Sequence, residues 1–211
     1  MATPTLNVIT HPLVQHKLTL LRDKQTTSGD FRRLCREITL LAAYEALADL
    51  PLADTTVETP LMTTDAKRLT GPPPSIVGIL RAGLLMVDAV LELLPQSPVA
   101  HLGMYRDPET HDPVDYYAKF PESMELREVL IVDPMLATGG SAAHAIDVVK
   151  AAGSTNIRLL SIIGCPEGAA AVHAAHPDVT ITVAGMDEGL NDHAYIVPGL
   201  GDAGDRIYGT R

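Results

Sequence analysis

Residues 127–153 read REVLIVDPMLATGGSAAHAIDVVKAAG. The run VLIV (129–132) has no polar alternation, as expected of a strand covered on both faces, and AAHAIDVVKAAG returns at helical spacing until Gly153 stops it. Between them lies a loop of Asp133, Pro134 and Thr138-Gly139-Gly140-Ser141. Strand, loop and helix in that order make half of a parallel crossover unit.

The same unit recurs on either side. IVGIL (76–80) reads as a buried strand followed by the helix AGLLMVDAVLELL, and VAHLGMY (99–105) as the next strand. Downstream come the strand IRLLSIIG (157–164), a helix started by Pro166, and the strand VTITVA (179–184). This alternation predicts an α/β fold: an open, mainly parallel sheet with helices on both faces.

Upstream, Pro12 suits the first turn of a short helix to about Arg22. A longer helix is expected to start at Ser28 or Asp30, with Phe31, Leu34, Ile38, Leu41 and Tyr44 on its apolar side, facing the core or a subunit interface. TTVETPLM (55–62) reads as an edge strand, and GPPPS (71–75) is a firm break.

Two stretches depart from the rhythm. Residues 106–125, RDPETHDPVDYYAKFPESME, are polar and hold three prolines, so the expectation is a lid rather than a core element. The tail 185–211 is rich in Gly and Asp, yet it keeps Tyr195, Ile196, Val197, Leu200 and Ile207 and is expected to pack down on the domain.

Composition narrows the function. A chain of 211 residues with no compositional break is read as one domain, 1–211. A formal charge of -10 argues against a general affinity for nucleic acid or anionic membranes. Cys35 and Cys165 form no CxxC pattern, the first residues lack signal-peptide features, and no apolar run reaches the roughly 18 residues of a membrane span, so a reduced, cytoplasmic protein is expected.

In an open parallel sheet, ligands bind beyond the carboxyl ends of the strands, where Asp133 stands. The loop after it opens a helix whose first N–H groups lack partners and carry positive charge, and its glycines let the backbone close around a phosphate. The glycines alone fit equally well a plain turn in which Thr138 or Ser141 caps the helix. A P-loop is excluded because no Lys is present; GLGDAG (199–204) matches GxGxxG by letter, but only seven residues follow Gly204, too few for a helix and a second strand.

VLIVDPMLATGGS resembles the phosphoribosyl diphosphate (PRPP) signature of the type I phosphoribosyltransferases, in the version of the uracil phosphoribosyltransferase family, where proline replaces the second acid of the usual pair. THPLVQHKL (10–18), ILRAGL (79–84), GMYR (103–106), CPEGAAA (165–171) and EGLNDHAYIVPGLGDAGDR (188–206) are similar to the same family, in the same order.

The resemblance implies transfer of phosphoribose from PRPP to uracil, with Arg81, Asp133 and Asp202 as the catalytic residues. PRPP would be held by Arg81, Arg106, Asp133, Pro134, Met135, Leu136 and the run Ala137, Thr138, Gly139, Gly140 and Ser141, with Asp202. Ala137 to Ser141 would take the 5-phosphate, Asp133 the ribose hydroxyls, and Arg81 the diphosphate, to which Arg106 swings as the lid closes. Uracil would be read by Ile196, Gly201, Asp202 and Ala203, with Tyr195 packing beside it. The family also implies Mg2+, which Asp202 would serve through water or PRPP, assembly as a homodimer or homotetramer, and in some members a GTP effector.

One position departs from the family, which commonly has proline where Gly78 stands; the strand carrying Arg81 is expected to be looser for it. His173 and His176 share a helix face without a third ligand and are expected at the surface rather than on zinc. The rival readings are an enzyme of the same fold acting on another base and a PRPP-sensing regulator without catalysis. The tail disfavours the first, and no basic module supports the second.

Overall fold

Strands that are apolar on both faces need helices above and below them, and that requirement organises the molecule. A computed structural model describes residues 5–106 and 113–210. In chain order the elements are β1 (Thr5–Val8), α1 (Pro12–Arg22), α2 (Ser28–Ala46), β2 (Leu52–Glu58), β3 (Thr63–Leu69), β4 (Ser75–Ile79), α3 (Gly83–Leu93), β5 (Val99–Arg106) and β6 (Pro113–Lys119). A single 3₁₀ turn (Met124–Leu126) leads to β7 (Glu128–Val132), β8 (Met135–Leu136), α4 (Gly140–Ala151), β9 (Asn156–Gly164), α5 (Pro166–Ala175), β10 (Thr180–Met186), β11 (Gly189–Leu190), β12 (Ile196–Val197) and α6 (Ala203–Tyr208).

The main sheet runs β1-β10-β9-β7-β4-β5-β6, with β8 also paired to β9. Every pairing in it is parallel except that of β5 with β6. Because successive side chains point to opposite faces, Ile76, Leu130 and Leu160 enter one core with α1, α2 and α3, while Val77, Ile131 and Leu159 enter the other with α4 and α5. Phe31, Leu21 and Ile38 are fully buried in the first core, each stabilising the fold by roughly 1.5–3 kcal/mol relative to exposure.

Several expectations are corrected. The edge strand at 55–62 is a hairpin: β2 ends at Glu58, the chain turns, and β3 pairs back from Thr63. The alternating Thr and Val residues carried the strand signal, but residues 59–62 form the turn, where the Thr59 Oγ1 accepts from the Leu61 and Met62 amides. The segment 106–125 is not irregular throughout, since β6 occupies 113–119 and Met124 is buried. Once β5 projects beyond the sheet its free edge accepts the next extended stretch, and the Val and Tyr residues of PVDYYAK favour a strand.

Thr27, not Ser28 or Asp30, caps α2, its Oγ1 accepting from the Asp30 amide at 3.2 Å. Tyr44 is 72% exposed, because the buried stripe of α2 passes through Ala42, Ala43 and Ala46 instead. His176 is buried, its Nε2 3.1 Å from the Ala143 carbonyl and its Nδ1 3.3 Å from Lys150 Nζ. Gly78 does not interrupt β4; it pairs with Val132 and His101, and a Cβ there would stand 2.6 Å from the Val87 side chain.

Candidate active site

β4 and β7 are neighbours, but the chain leaves them in opposite directions. From β4 it passes through α3, which covers the first core, to β5; from β7 it passes through α4, which covers the second, to β9. Their loops therefore diverge and open a crevice at the point where strand order reverses. A cavity of about 420 Å³ occupies it, lined by Arg81 and Ala82 from the first loop, Asp133, Pro134, Met135, Ala137 and Ser141 from the second, and Tyr195, Ile196, Gly201, Asp202 and Ala203 from the tail.

The loop after β7 is strapped to β9. The Asp133 amide donates to Leu160 at 3.2 Å, the Pro134 carbonyl accepts from Ile162 and Ile163, and the Leu136 carbonyl accepts from Cys165. Its far end is held by close backbone packing against α5: a Cβ on Gly168 would lie 2.4 Å from the Ala137 carbonyl oxygen, and one on Gly139 2.6 Å from the Gly168 carbonyl oxygen. Gly139 also has φ of +79°, so it turns the chain into α4 in a conformation other residues rarely adopt.

Asp133 is only partly exposed at the base of this cavity. Loss of solvation pushes its carboxyl up to about 7, an effect the backbone hydrogen bond from Met135 only partly offsets.

Arg81 follows β4 directly and brings a cation to the cavity lining, its side chain 59% exposed. Its Nη2 lies 3.6 Å from Asp205 Oδ1, and its carbonyl accepts from the Tyr208 hydroxyl.

The tail returns over the sheet edge because its apolar residues are buried: Ile196, Leu200, Ala203 and Ile207 all enter the first core. Asn191 shapes the turn before it, its side-chain oxygen accepting from His193 and Tyr195 amides at 3.0 Å. Asp202 caps α6, with Oδ1 accepting from the Asp205 amide at 2.8 Å.

Not every expected residue faces the cavity. Leu136 is buried in the second core, and Thr138, Gly139 and Gly140 lie at the helix end of the loop, off the lining. The Arg106 side chain lies outside the described residues. Met104, Ala82, Ala194 and Gly204 line the cavity without having been singled out. Met104 sits near the carboxyl end of β5 within GMYR, a position the strand-end rule could have flagged. Glu167 was also missed: from α5 it accepts the Leu190 amide and pins β11. No pattern in the sequence announces that contact.

Comparison with known proteins agrees with this geometry. Residues 8–210 match the family model described as uracil phosphoribosyltransferase. The uracil phosphoribosyltransferase of Alkaliphilus oremlandii is 60% identical, with 98% of this chain and 99% of that protein covered. The structure of the AQ2163 protein from Aquifex aeolicus superposes with a TM-score of 0.91 at 35% identity, covering 97% of this chain and 98% of that one. An adenine phosphoribosyltransferase from Trypanosoma brucei, at 15% identity, shares the fold with a TM-score of 0.58 over 95% of this chain and 89% of that one.

Proposed function

The chain belongs to the uracil phosphoribosyltransferase family and transfers the 5-phosphoribosyl group from PRPP to uracil, giving UMP and pyrophosphate; we propose that the crevice between β4, β7 and the tail is where it does so. The observation that carries this reading is the convergence of Arg81, of Asp133, Ala137 and Ser141 from the loop, and of Ile196 and Gly201 to Ala203 from the tail on one cavity of about 420 Å³, a volume in the range of small-molecule sites.

The hard part of the reaction is electrostatic. Pyrophosphate leaves C1 of the ribose while the sugar gains positive charge, so the leaving group must be neutralised and the base held in line. The amides and hydroxyls from Ala137 to Ser141 receive the 5-phosphate at the start of α4, where the helix dipole favours an anion; Ala137 and Ser141 do so from the cavity wall, and Thr138 to Gly140 from the helix end beside it. Leu136 serves by its position in the strap, not by its side chain. Asp133 orients the ribose by accepting from its hydroxyls, which favour the ionised carboxylate.

Arg81 reaches the diphosphate with two parallel N–H groups, a match to a pair of phosphoryl oxygens that lysine does not offer. Arg106 follows from the β5–β6 arm, which acts as the lid over the reacting centre. At the other end, Ile196, Gly201, Asp202 and Ala203 present main-chain groups to the alternating edge of uracil, with Tyr195 at the rim.

Mg2+ fits these residues as an ion carried by the diphosphate. Among the described residues no cluster of three ligating side chains forms a cage, while Asp133 and Asp202 face one cavity. When bound, such an ion supplies positive charge to the diphosphate oxygens. Asp202 has one oxygen committed to the α6 amide and keeps the other for a water on the ion or for PRPP.

A homodimer or homotetramer is supported by the β2–β3 hairpin, which forms its own two-stranded sheet and exposes Leu61 and Met62 at its tip. Two strands alone are marginal in water, so a second copy of the chain covering them is the simplest support. GTP remains an effector proposed on family resemblance alone. No described helix is long and apolar enough to cross a membrane. A cytoplasmic location is proposed because the substrates of the family, PRPP and free uracil, are intracellular metabolites.

The test is direct: incubate the protein with PRPP, Mg2+ and each free nucleobase, with and without GTP, and measure pyrophosphate and nucleotide. Turnover with uracil is expected. Turnover only with hypoxanthine or orotate would overturn the base assignment, and PRPP binding with no turnover on any base would favour a sensor.

A further inference from the structure

We propose that Arg22 and Asp187 form a positioning clamp that holds the base-recognising turn, setting the affinity for uracil without touching the substrate. The proposal rests on the reading of the tail as the uracil site.

Asp187 comes immediately after β10, and its amide donates to the Gly164 carbonyl at 2.8 Å, which fixes it to the end of β9. Its side chain is 3% exposed. The carboxylate receives both arms of the Arg22 guanidinium, Nη1 at 2.8 Å from Oδ2 and Nη2 on Oδ1. Arg22 is the last residue of α1, and the glycine at 185 leaves it room, since a Cβ there would already stand 3.0 Å from Leu18 Cδ1 and 3.6 Å from Arg22 Nη2.

Both backbone groups of Gly199 end on this pair. Its amide donates to Asp187 Oδ2 at 2.9 Å, and its carbonyl accepts from Arg22 Nη1 at 2.7 Å. Gly199 has φ of +64°, and a Cβ on it would stand 2.1 Å from the Ile196 carbonyl oxygen, so the turn closes back on a residue of the cavity wall. Two residues later the chain supplies Gly201, Asp202 and Ala203 to the lining, whereas neither Arg22 nor Asp187 lines the cavity. The clamp therefore acts through Gly199.

The chemistry favours an arginine here. A planar fork can serve the carboxylate with two donors and still reach the carbonyl, while a lysine ammonium is a point charge without that geometry.

Arg22→Lys, Asp187→Asn and the double variant test this, with steady-state kinetics against uracil and PRPP, PRPP affinity measured without uracil, and thermal melting. Lys keeps the charge and Asn keeps an acceptor for Gly199, so both leave the fold a route to its native state. Each single variant is expected to raise the KM for uracil on the order of tenfold or more, as for loss of a charged hydrogen bond, with a much smaller change in PRPP affinity, since of the residues on this turn only Asp202 also serves PRPP. The double variant should be no worse than the poorer single one, since the two residues act as a unit. Unchanged uracil KM in the folded variants would overturn the clamp, as would a parallel loss of uracil KM, PRPP affinity and melting temperature. If the wild type used another base, the base reading would fall, while the same KM split on that base would still uphold the clamp.

Discussion

The Tyr208 hydroxyl donates to the Arg81 carbonyl at 2.8 Å, and the Arg81 guanidinium lies back over the Tyr208 ring, 5.6 Å from its centroid. The loop after β4 and the last helix thus hold each other, although they are separated by most of the chain. A cation resting on an exposed ring is held by only about 0.5–1 kcal/mol, so Arg81 lines the cavity with a weakly held guanidinium, which its proposed turn onto a diphosphate requires.

Arg81→Ala should lower kcat/KM by on the order of 100-fold or more, as for loss of one preorganised donor. Its melting temperature should barely change, because an exposed pair with Asp205 is worth little. Wild-type kinetics in a folded variant would remove Arg81 from the mechanism.

Asp133 gives a pH signature. Its carboxyl stands at about 7 when folded against 3.8 as the ordinary value, so between those limits the folded protein binds more protons than the unfolded chain. Its contribution is fully present below about pH 4 and is lost as pH rises to about 7. Asp133→Asn should therefore melt higher relative to wild type at pH 8 than at pH 4, and should lose turnover. Parallel melting curves for both proteins across that range would contradict the assignment.

Substitutions can separate the cap that Asp202 forms on α6 from its proposed service to the ion or PRPP. Asp202→Asn retains an N-cap acceptor, so stability should hold while Mg2+-dependent kcat/KM falls. Asp202→Ala loses the cap as well, costing about 1 kcal/mol and lowering the melting temperature by roughly 2–4 °C in a chain of this size. Equal kinetics for Asp202→Asn and wild type would leave the residue a cap only.

Gly168→Ala sets two effects against each other. Alanine in a helix normally gains up to about 1 kcal/mol over glycine, but here its Cβ would meet the Ala137 and Leu136 carbonyl oxygens at 2.4 and 2.7 Å. Backbone atoms cannot rotate away as a side chain can, so a net loss of about 1–3 kcal/mol and weaker PRPP binding are expected. A stabilised variant with normal PRPP affinity would show that the loop does not depend on this approach.

Leu61→Asp with Met62→Asp places two charges at the exposed hairpin tip. Sedimentation should show a shift towards monomer. An unchanged mass would mean that the assembly does not use this hairpin.

The sheet was legible because its strands are apolar on both faces and its helices are not, a contrast of period that short windows such as VLIV and AAHAIDVVK display directly. The hairpin β2–β3 was harder to read because it forms a sheet of its own, and the arm strand β6 because it lies at the sheet edge: the signal of both is β-propensity without strong apolar patterning. His176 was misplaced for the opposite reason, since a polar residue whose partners come from α4 carries no local sign of burial. Of the candidate site, the run 133–141 and the tail 196–203 were legible as motifs, since each carries a residue pattern shared with the family. Glu167, Tyr208 and the clamp of Arg22 with Asp187 were not, because each acts on backbone atoms that the sequence does not display.

The sequence by itself therefore determined the α/β class, the strand–loop–helix unit with proline beside Asp133, and the family to which the chain belongs. Those properties depend on local periodicity and on residues in contact along the chain. Tertiary structure alone decided that Arg81, Asp133 and Asp202 share one cavity, that Asp133 is held near neutrality, and that Gly199 hangs between Arg22 and Asp187. These depend on where strand order reverses and on desolvation by distant segments, which exist only after the chain has closed on itself.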